Sequence, residues 1–305
     1  MMQQDMVLDN SLRPDSFESY IGQPKMVQRM NIALNAAKYR YESCPHVLFH
    51  GPPGTGKTSA ANLISRAMGS TLHTTSGPAL ETIMDALNIL AELKTHDIWF
   101  VDEIHSIPAT VSEVLYAAVE DFKVDVMVNG KPVNARLPFF TLVGATTRAG
   151  ALTAPFRDRF GIVACLNYYS TEDLTTILRR SAGIMKVDID TAGLANIAKR
   201  GRGTPRIANR LLARVRDYAM GKQVTPDMLA ETFDLEEVGE DGSTAGDRKY
   251  LDCLKNIYHG GPVGIAALAS TLNEDLRTVQ DVLEPWLLFH NRISRTSRGR
   301  VLLDK

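Results

Sequence analysis

The chain has 305 residues, with 34 lysines and arginines against 35 aspartates and glutamates, so its formal net charge is −1. Apolar residues make up 44% of the chain and charged residues 23%, which excludes a disordered or fibrous protein. A net charge near zero also excludes binding to nucleic acid by overall basicity, although a local basic patch remains open. The length predicts about two domains, or one large domain and two small ones.

The cysteines and the N-terminal segment indicate the cellular compartment in which the protein works. Cys44, Cys165 and Cys253 are scattered and form no CxxC pair, which indicates free thiols in a reducing compartment and no zinc site. The N-terminal segment contains Asp5 and Asp9 and no apolar stretch, so no secretory signal is predicted. No apolar run approaches the roughly 20 residues of a membrane-spanning helix. We therefore expect a cytoplasmic protein.

Short β-rich runs alternate with helical patterns through the first half of the chain. The predicted strands are 46–50, 98–101, 139–144 and 162–166. The predicted helices are 26–40, 57–68, 80–93 and 110–119. This alternation favours an α/β fold with a mostly parallel sheet covered by helices.

The second half of the chain changes character near residue 170. Four helices are predicted, over 171–185, 190–200, 204–221 and 225–232. An acidic stretch without periodicity, 236–247, is predicted to be a linker. Helices over 248–258, 265–272 and 276–289 then precede two short strands within 292–303. This order is typical of a winged-helix domain, so the predicted domains are 1–169, 170–239 and 240–305.

Residues 51–58 (GPPGTGKT) match the phosphate-binding pattern GxxxxGK[ST]. The motif follows an apolar run and precedes a helical pattern, as the strand–loop–helix context requires. Its glycines let backbone N–H groups approach phosphate oxygens, and the helix N-terminus adds partial positive charge. Lys57 is predicted to bridge the β- and γ-phosphates, and Thr58 to bind Mg²⁺.

Two acidic residues follow an apolar run, at Asp102 and Glu103. At the carboxyl end of a parallel strand, both would lie beside the phosphate loop. Asp102 is predicted to hold the Mg²⁺ shell, and Glu103 to polarise the attacking water as general base. The alternative is a solvated acidic turn, which the complete phosphate loop upstream disfavours.

Three more polar residues are candidates for ATP hydrolysis. Thr147 follows the third apolar strand, where its hydroxyl would orient water. Arg159 does not easily reach its own subunit's phosphate, so it is predicted to act on a neighbouring subunit's nucleotide. Arg206 begins a helix of the second domain and is predicted to sense the γ-phosphate. The open alternatives are a turn hydroxyl for Thr147 and surface positions for the two arginines.

The last candidate site is basic. Residues 292–300 (RISRTSRGR) contain four arginines and no acid. Arg295, Arg298 and Arg300 would meet phosphates of duplex DNA at a hairpin, which supplies affinity without base identity. The alternative is a solvated basic hairpin.

Four strings in this order resemble the RuvB family of AAA+ ATPases: TSGPALE at 75–81, GATTRAG at 144–150, GTPRIANR at 203–210 and GGPVG at 260–264. The resemblance runs from Leu12 to Leu303. It implies an AAA+ P-loop core with a parallel sheet, a small all-α lid and a C-terminal winged helix. It also implies a homo-hexameric motor that uses ATP and Mg²⁺ to migrate Holliday junctions by pulling duplex DNA through a ring.

The resemblance also implies roles for single residues. Adenine would be bound by Leu12, Arg13 and Tyr169, and sensor 1, the trans finger and sensor 2 would be Thr147, Arg159 and Arg206. Phosphate and other nucleotide contacts would come from Gly54, Gly56, Lys57, Thr58, Ser59, Glu120, Asp121 and Phe122. Arg295 and Arg300 would contact DNA.

The chain departs from the family pattern in places. Ser106 stands where an arginine is expected, and both chain ends look trimmed. The segment from Lys123 to Arg136, predicted as a hairpin turning at Asn129-Gly130, looks a few residues short. In the family this hairpin docks on RuvA, a junction-binding partner, so its length bears on docking. These features suit a phage-encoded or divergent member.

Two other functions remain as alternatives. One is another DNA-associated AAA+ ATPase, of the initiator or loader type, which would load proteins without translocating. The other is a nucleotide-gated DNA-binding scaffold that does not hydrolyse ATP, against which Glu103, Arg159 and Arg206 argue.

Overall fold

The computed structural model describes residues 10–128 and 131–303 of the chain. They belong to two compact units, Met1–Tyr169 and Ser170–Lys305. The predicted turn at Asn129-Gly130 lies outside the described residues, and the predicted domain boundary near residue 240 stays a prediction.

A parallel sheet forms the centre of the first unit. The strands of this unit are β1 (Val47–His50), β2 (Leu72–Ser76), β3 (Ile98–Asp102), β4 (Lys123–Val128), β5 (Lys131–Arg136), β6 (Thr141–Thr146) and β7 (Ile162–Cys165). Five of them pair in parallel in the order β2-β3-β6-β1-β7, which confirms the predicted α/β core. Sequence reasoning missed β2, because this edge strand reads LHTTS and lacks a buried apolar run.

Helices cover both faces of the sheet. They are α1 (Pro24–Arg40), α2 (Lys57–Met68), α3 (Ile83–Glu92), α4 (Ala109–Glu120) and the short α5 (Ala154–Arg157). Successive strand residues point to opposite faces, so Leu48 and Phe49 of β1 enter two different core clusters. Burial of each such side chain contributes about 1.5–3 kcal/mol.

The predicted hairpin is confirmed by its two strands. β4 and β5 pair antiparallel, in a register from Lys123 opposite Arg136 to Val128 opposite Lys131. Its base is anchored by Val124, which is buried, and by Phe122, whose ring packs on Phe140.

The second unit begins with four helices, as predicted. They are α6 (Thr171–Met185), α7 (Thr191–Arg200), α8 (Pro205–Ala219) and α9 (Pro226–Leu235). The Ser170 hydroxyl accepts the N–H of Asp173 and caps α6, and Asp190 and Thr225 cap α7 and α9 in the same way. Each such cap stabilises its helix by about 1 kcal/mol.

A winged helix completes the second unit. Its elements are α10 (Ala245–Asp252), a π turn (Cys253–Ile257), α11 (Ile265–Leu272), α12 (Leu276–Thr278), a second π turn (Val279–Leu283), α13 (Glu284–Phe289), β8 (Ile293–Thr296) and β9 (Gly299–Leu302). β8 and β9 form the wing hairpin, and Val263 pairs with Arg300 on its other edge. Gly299 adopts φ 132°, and a Cβ there would lie 2.3 Å from the Val263 carbonyl oxygen. Only glycine fits this approach.

Within the described ranges, none of the helices combines the length and the apolar character needed to span a membrane.

Candidate nucleotide site and winged-helix interface

The phosphate loop joins β1 to α2. Gly51, Gly54 and Gly56 have φ values of 140°, 76° and 103°, which other residues rarely adopt. A Cβ at Gly51 would lie 2.1 Å from the carbonyl oxygen of Leu166, so a side chain is excluded there. Gly56 precedes α2 and supplies no side-chain cap, which leaves the first N–H groups of α2 available to an anion.

Lys57 extends back into this loop. Its Nζ donates to the carbonyl oxygens of Gly51 and Pro52, at 2.9 and 2.8 Å, and the residue is buried. The ammonium group is therefore held where the loop would surround phosphates. Thr58 and Ser59 lie half-buried in the first turn of α2.

The acidic residues lie at the same edge of the sheet. β3 ends at Asp102, whose Oδ1 accepts the N–H of Glu103 at 3.0 Å. The Thr147 hydroxyl donates to the Glu103 carboxylate at 3.4 Å. Because β6 lies between β3 and β1, Glu103, Thr147 and the phosphate loop all follow carboxyl ends of neighbouring strands. The structure thus brings the predicted base and sensor together.

Sequence reasoning missed His105. Its Nδ1 lies 3.1 Å from the Glu103 carboxylate and 2.9 Å from the Thr146 hydroxyl. The imidazole therefore helps to hold the carboxylate of Glu103, the predicted general base, in its orientation. Its signal in the sequence is its position two residues after Glu103, in the string DEIH at 102–105.

A tyrosine pair supports the loop from behind. The Tyr169 hydroxyl donates to the Thr55 carbonyl at 3.1 Å and lies 3.3 Å from the Tyr20 hydroxyl. Burial raises the pKa of Tyr20 well above its ordinary value. A Cβ at Gly56 would lie 2.5 Å from the Tyr20 hydroxyl, so the pair also requires glycine at this position. Sequence reasoning missed Tyr20, which stands in the string YIGQ at residues 20–23.

The other adenine candidates lie at the start of the described chain. Leu12 is buried, and the Arg13 N–H donates to the Asn10 carbonyl at 3.3 Å. Their contact with adenine stays a prediction.

Arg159 lies at the opposite edge of the sheet, immediately before the amino end of β7. Its guanidinium pairs with the Glu120 carboxylate and lies 5.2 Å over the Tyr116 ring. Glu120 ends α4, and the neighbouring Val119 carbonyl contacts His46 at the amino end of β1. Glu120 therefore lies with Arg159 at the amino end of the sheet, and Phe122 packs on His46 at that same end. Neither residue is at the carboxyl end, where the phosphate loop of the same subunit lies.

The wing arginines have a buried partner that sequence reasoning missed. Glu284 is fully buried at the start of α13. Its carboxylate accepts hydrogen bonds from Nε of Arg295 at 2.7 Å and from Nε of Arg300 at 2.8 Å. The Tyr250 hydroxyl donates a hydrogen bond to the same carboxylate at 3.0 Å. The pKa of Tyr250 is raised, chiefly because the residue is buried and secondly because the Glu284 charge is nearby. Arg298 is exposed at the tip.

The predicted γ-phosphate sensor and the predicted Mg²⁺ ligands belong to different units of the chain. Arg206 is exposed in the first turn of α8, in the second unit, and its role stays a prediction. Residues 10–128 and 131–303 contain no group of three histidine, cysteine or acidic residues that could hold a metal ion. Thr58 and Asp102 supply a hydroxyl and a carboxylate, oxygen ligands of the kind Mg²⁺ accepts alongside phosphate and water.

Comparison with known proteins accounts for nearly the whole chain. Residues 12–166 match the family model described as the Holliday junction DNA helicase RuvB P-loop domain. Residues 169–238 match the RuvB AAA lid domain, and residues 240–305 the RuvB C-terminal winged helix domain.

Solved structures agree with the family models. The Thermotoga maritima RuvB Holliday junction branch migration motor is 42% identical, with 96% of each chain covered and a TM-score of 0.88. An alanine-to-serine variant of the same protein is also 42% identical over 96% of each chain, with a TM-score of 0.90. A lysine-to-arginine variant is 42% identical, with the same coverage and a TM-score of 0.89. The chain belongs to the RuvB family.

Proposed function

We propose that this chain is an ATP-hydrolysing ring motor that drives branch migration of Holliday junctions in recombination and repair, and that it works in the cytoplasm. The observation that carries the proposal is the division of catalytic groups between two edges of one sheet. Lys57, Glu103 and Thr147 follow carboxyl ends of strands, whereas Arg159 precedes an amino end. A complete site then needs two subunits.

The groups at the carboxyl edge bind and hydrolyse ATP. The backbone N–H groups of the loop and the Lys57 ammonium hold the β- and γ-phosphates. Glu103, held between Thr147 and His105, takes a proton from the attacking water. Thr58 and Asp102 would hold Mg²⁺, which would supply charge neutralisation at the phosphates.

The opposite edge serves the neighbouring subunit. Arg159 stabilises charge on the neighbour's γ-phosphate in the transition state, an effect of about 10³–10⁵ in rate where such arginines have been studied. Glu120 pairs with Arg159, and it meets the same nucleotide from that side together with Asp121 and Phe122, which follow it in the chain. Repetition of this interface closes a homo-hexamer.

The winged helix holds duplex DNA, and the hairpin of β4 and β5 holds a RuvA-like protein. Arg295, Arg298 and Arg300 contact phosphates, so the grip is independent of sequence. On the hairpin, the Met127 side chain is 64% exposed, which suits an apolar contact with the partner. Arg206 senses the γ-phosphate and changes the angle of the lid with each turnover.

The test is branch migration of a synthetic four-way junction with ATP, with and without a RuvA-like protein. We expect migration by the wild-type chain and none by Glu103→Gln, which keeps the shape of the base and removes its charge. An initiator or loader ATPase would hydrolyse ATP without moving the junction, and that result would overturn the proposal. Migration that is independent of the RuvA-like protein would exclude the proposed hairpin contact.

A further inference from the structure

One ion pair joins the lid to the winged helix within the second unit. Arg202 lies in the lid, between α7 and α8, and Asp247 lies in the first turn of α10. The guanidinium donates to both carboxylate oxygens, at 2.8 and 3.4 Å. The Asp247 side chain is fully buried, and that of Arg202 is 12% exposed. This pair is therefore shielded from solvent and salt, unlike the surface pairs of the chain.

Asp247 is fixed by further hydrogen bonds. Its Oδ2 accepts the backbone N–H and the hydroxyl of Thr244, at 2.8 and 2.7 Å, while the Thr244 hydroxyl accepts the Asp247 N–H. This capping box starts α10. The carboxylate that receives Arg202 is thus part of the helix start and does not move independently of α10.

The same guanidinium also contacts α13. Its Cζ lies 4.8 Å from the ring centroid of Trp286, which is 4% exposed. Two residues before Trp286 stands Glu284, the buried partner of the wing arginines Arg295 and Arg300. Arg202 therefore contacts both the first helix of the winged helix and the helix that holds the wing.

On the lid side, Arg202 is tied to the start of α8. Its backbone adopts φ 53°, and the Thr204 N–H donates to the Gly201 carbonyl at 2.9 Å in a tight turn. A Cβ at Gly201 would lie 2.8 Å from Cβ of Ala208, so this turn packs directly on α8. Arg206 lies in the first turn of α8, four residues after Arg202. A displacement of the start of α8 would carry Arg202 with it.

We propose that Arg202 is a positioning residue that transmits lid movement to the DNA-holding wing. This inference rests on the proposed function, in which Arg206 senses the γ-phosphate and the wing holds DNA. Movement at Arg206 shifts the turn that carries Arg202. The buried contacts with Asp247 and Trp286 then oblige α10 and α13 to follow, together with the wing arginines held by Glu284.

The test compares Arg202→Gln with the wild-type hexamer. The variant keeps hydrogen-bonding capacity but loses the charge and the guanidinium plane. We expect ATP turnover without DNA to stay within about twofold of wild type, and junction migration per ATP hydrolysed to fall about tenfold, within the range typical of coupling between sites. The stimulation of turnover by DNA should fall in parallel. Arg214→Gln is the matched control, because Arg214 lies on α8 and pairs with Asp217 and Glu236 at the surface.

Additional measurements separate coupling from folding. DNA affinity without nucleotide should stay close to wild type if Arg202 acts on coupling, whereas a disrupted winged helix would lower it. The unfolding temperature of Arg202→Gln should fall, because the buried Asp247 carboxylate loses its charged partner. Turnover and migration are therefore compared at a temperature at which both proteins are folded. Arg202→Lys should recover part of the migration, because it restores the charge but not the stacking on Trp286. If Arg202→Gln fails to fold, Asp247→Asn replaces it, because the asparagine oxygen still accepts from Thr244.

The outcomes for this inference and for the proposed function differ. Equal migration per ATP in Arg202→Gln and wild type would overturn the role of Arg202 and leave the motor intact. A wild-type chain whose ATP turnover does not respond to DNA would overturn the proposed function itself.

Discussion

The carboxylate of Glu284 accepts a hydrogen bond from Nε of Arg300 at 2.8 Å inside the winged helix, where Glu284 has no exposed surface. A buried carboxylate is costly unless it is paired and hydrogen-bonded. Arg300 and Arg295 thus stabilise the fold, in addition to the DNA contact proposed for them. Arg298, exposed at the tip, has no such second role among the described contacts.

This difference predicts how the wing arginines respond to mutation. Arg298→Ala should weaken DNA binding, lower the slope of log affinity against log salt by about one unit, and leave the unfolding temperature unchanged. Arg300→Ala should weaken DNA binding and also lower stability by about 1–3 kcal/mol, because Glu284 loses a charged partner. Salt titrations and thermal melts measure both effects. Equal melting temperatures for the two variants would contradict the structural role of Arg300.

The phosphate loop predicts the effect of removing its lysine. Lys57→Ala should abolish ATP turnover, because the ammonium that sits against the Gly51 and Pro52 carbonyls is the cation of the loop. Lys25→Ala, an exposed lysine on α1, is the control and should keep normal turnover. A steady-state phosphate-release assay decides, and activity in Lys57→Ala would remove the loop from the mechanism.

The two edges of the sheet predict complementation between subunits. Arg159→Ala and Glu103→Gln should each be inactive alone, because each variant lacks one half of every composite site. Mixed rings should recover ATP turnover at those interfaces where an intact Glu103 faces an intact Arg159. Turnover measured as a function of mixing ratio tests this, and a flat, inactive curve would show that Arg159 does not act in trans.

The contact between His105 and Glu103 predicts a change in kcat. His105→Ala removes the group 3.1 Å from the Glu103 carboxylate, so the base should lose its fixed orientation. Misplaced catalytic groups cost up to about 10²-fold in rate, whereas the phosphate contacts that bind ATP are untouched. We expect a lower kcat with unchanged ATP affinity. A matching loss of affinity would assign His105 to binding instead.

A buried carboxylate in the first unit predicts a dependence of stability on pH. Burial alone raises the pKa of Asp97, but hydrogen bonds from the Lys94 N–H, from His73 and from the Thr71 N–H outweigh it and lower this pKa below its ordinary 3.8. A lowered pKa contributes stability that is complete above the unfolded value and is lost as the pH falls through the folded value.

The comparison for this dependence is Asp97→Asn. The variant should be less stable than wild type at pH 7, and the difference should shrink as the pH falls below about 4. Denaturant unfolding at several pH values measures it. A difference that stays constant down to pH 2 would show that the charge of Asp97 does not contribute.

Much of the fold follows from local patterns. The alternation of apolar runs with helical periodicity predicted four of the five strands of the parallel sheet, and the bounds of α2, α6 and α11 agree residue for residue. The missed edge strand β2 has little buried apolar surface, so its sequence carries no strand signal. Its place comes from hydrogen bonds with β3.

The sequence by itself determined the phosphate loop, the acids at the carboxyl end of β3, the basic wing and the membership of a family, because these depend on residues close together in the chain. Only the tertiary structure decided which distant charges meet. Arg159 pairs with Glu120, 39 residues away in the chain, and Arg202 pairs with Asp247, 45 residues away. Glu284 receives Arg295 and Arg300 in the same way. A charged residue carries no local signal of its partner, because packing of the apolar core, and not the charges themselves, brings the segments together.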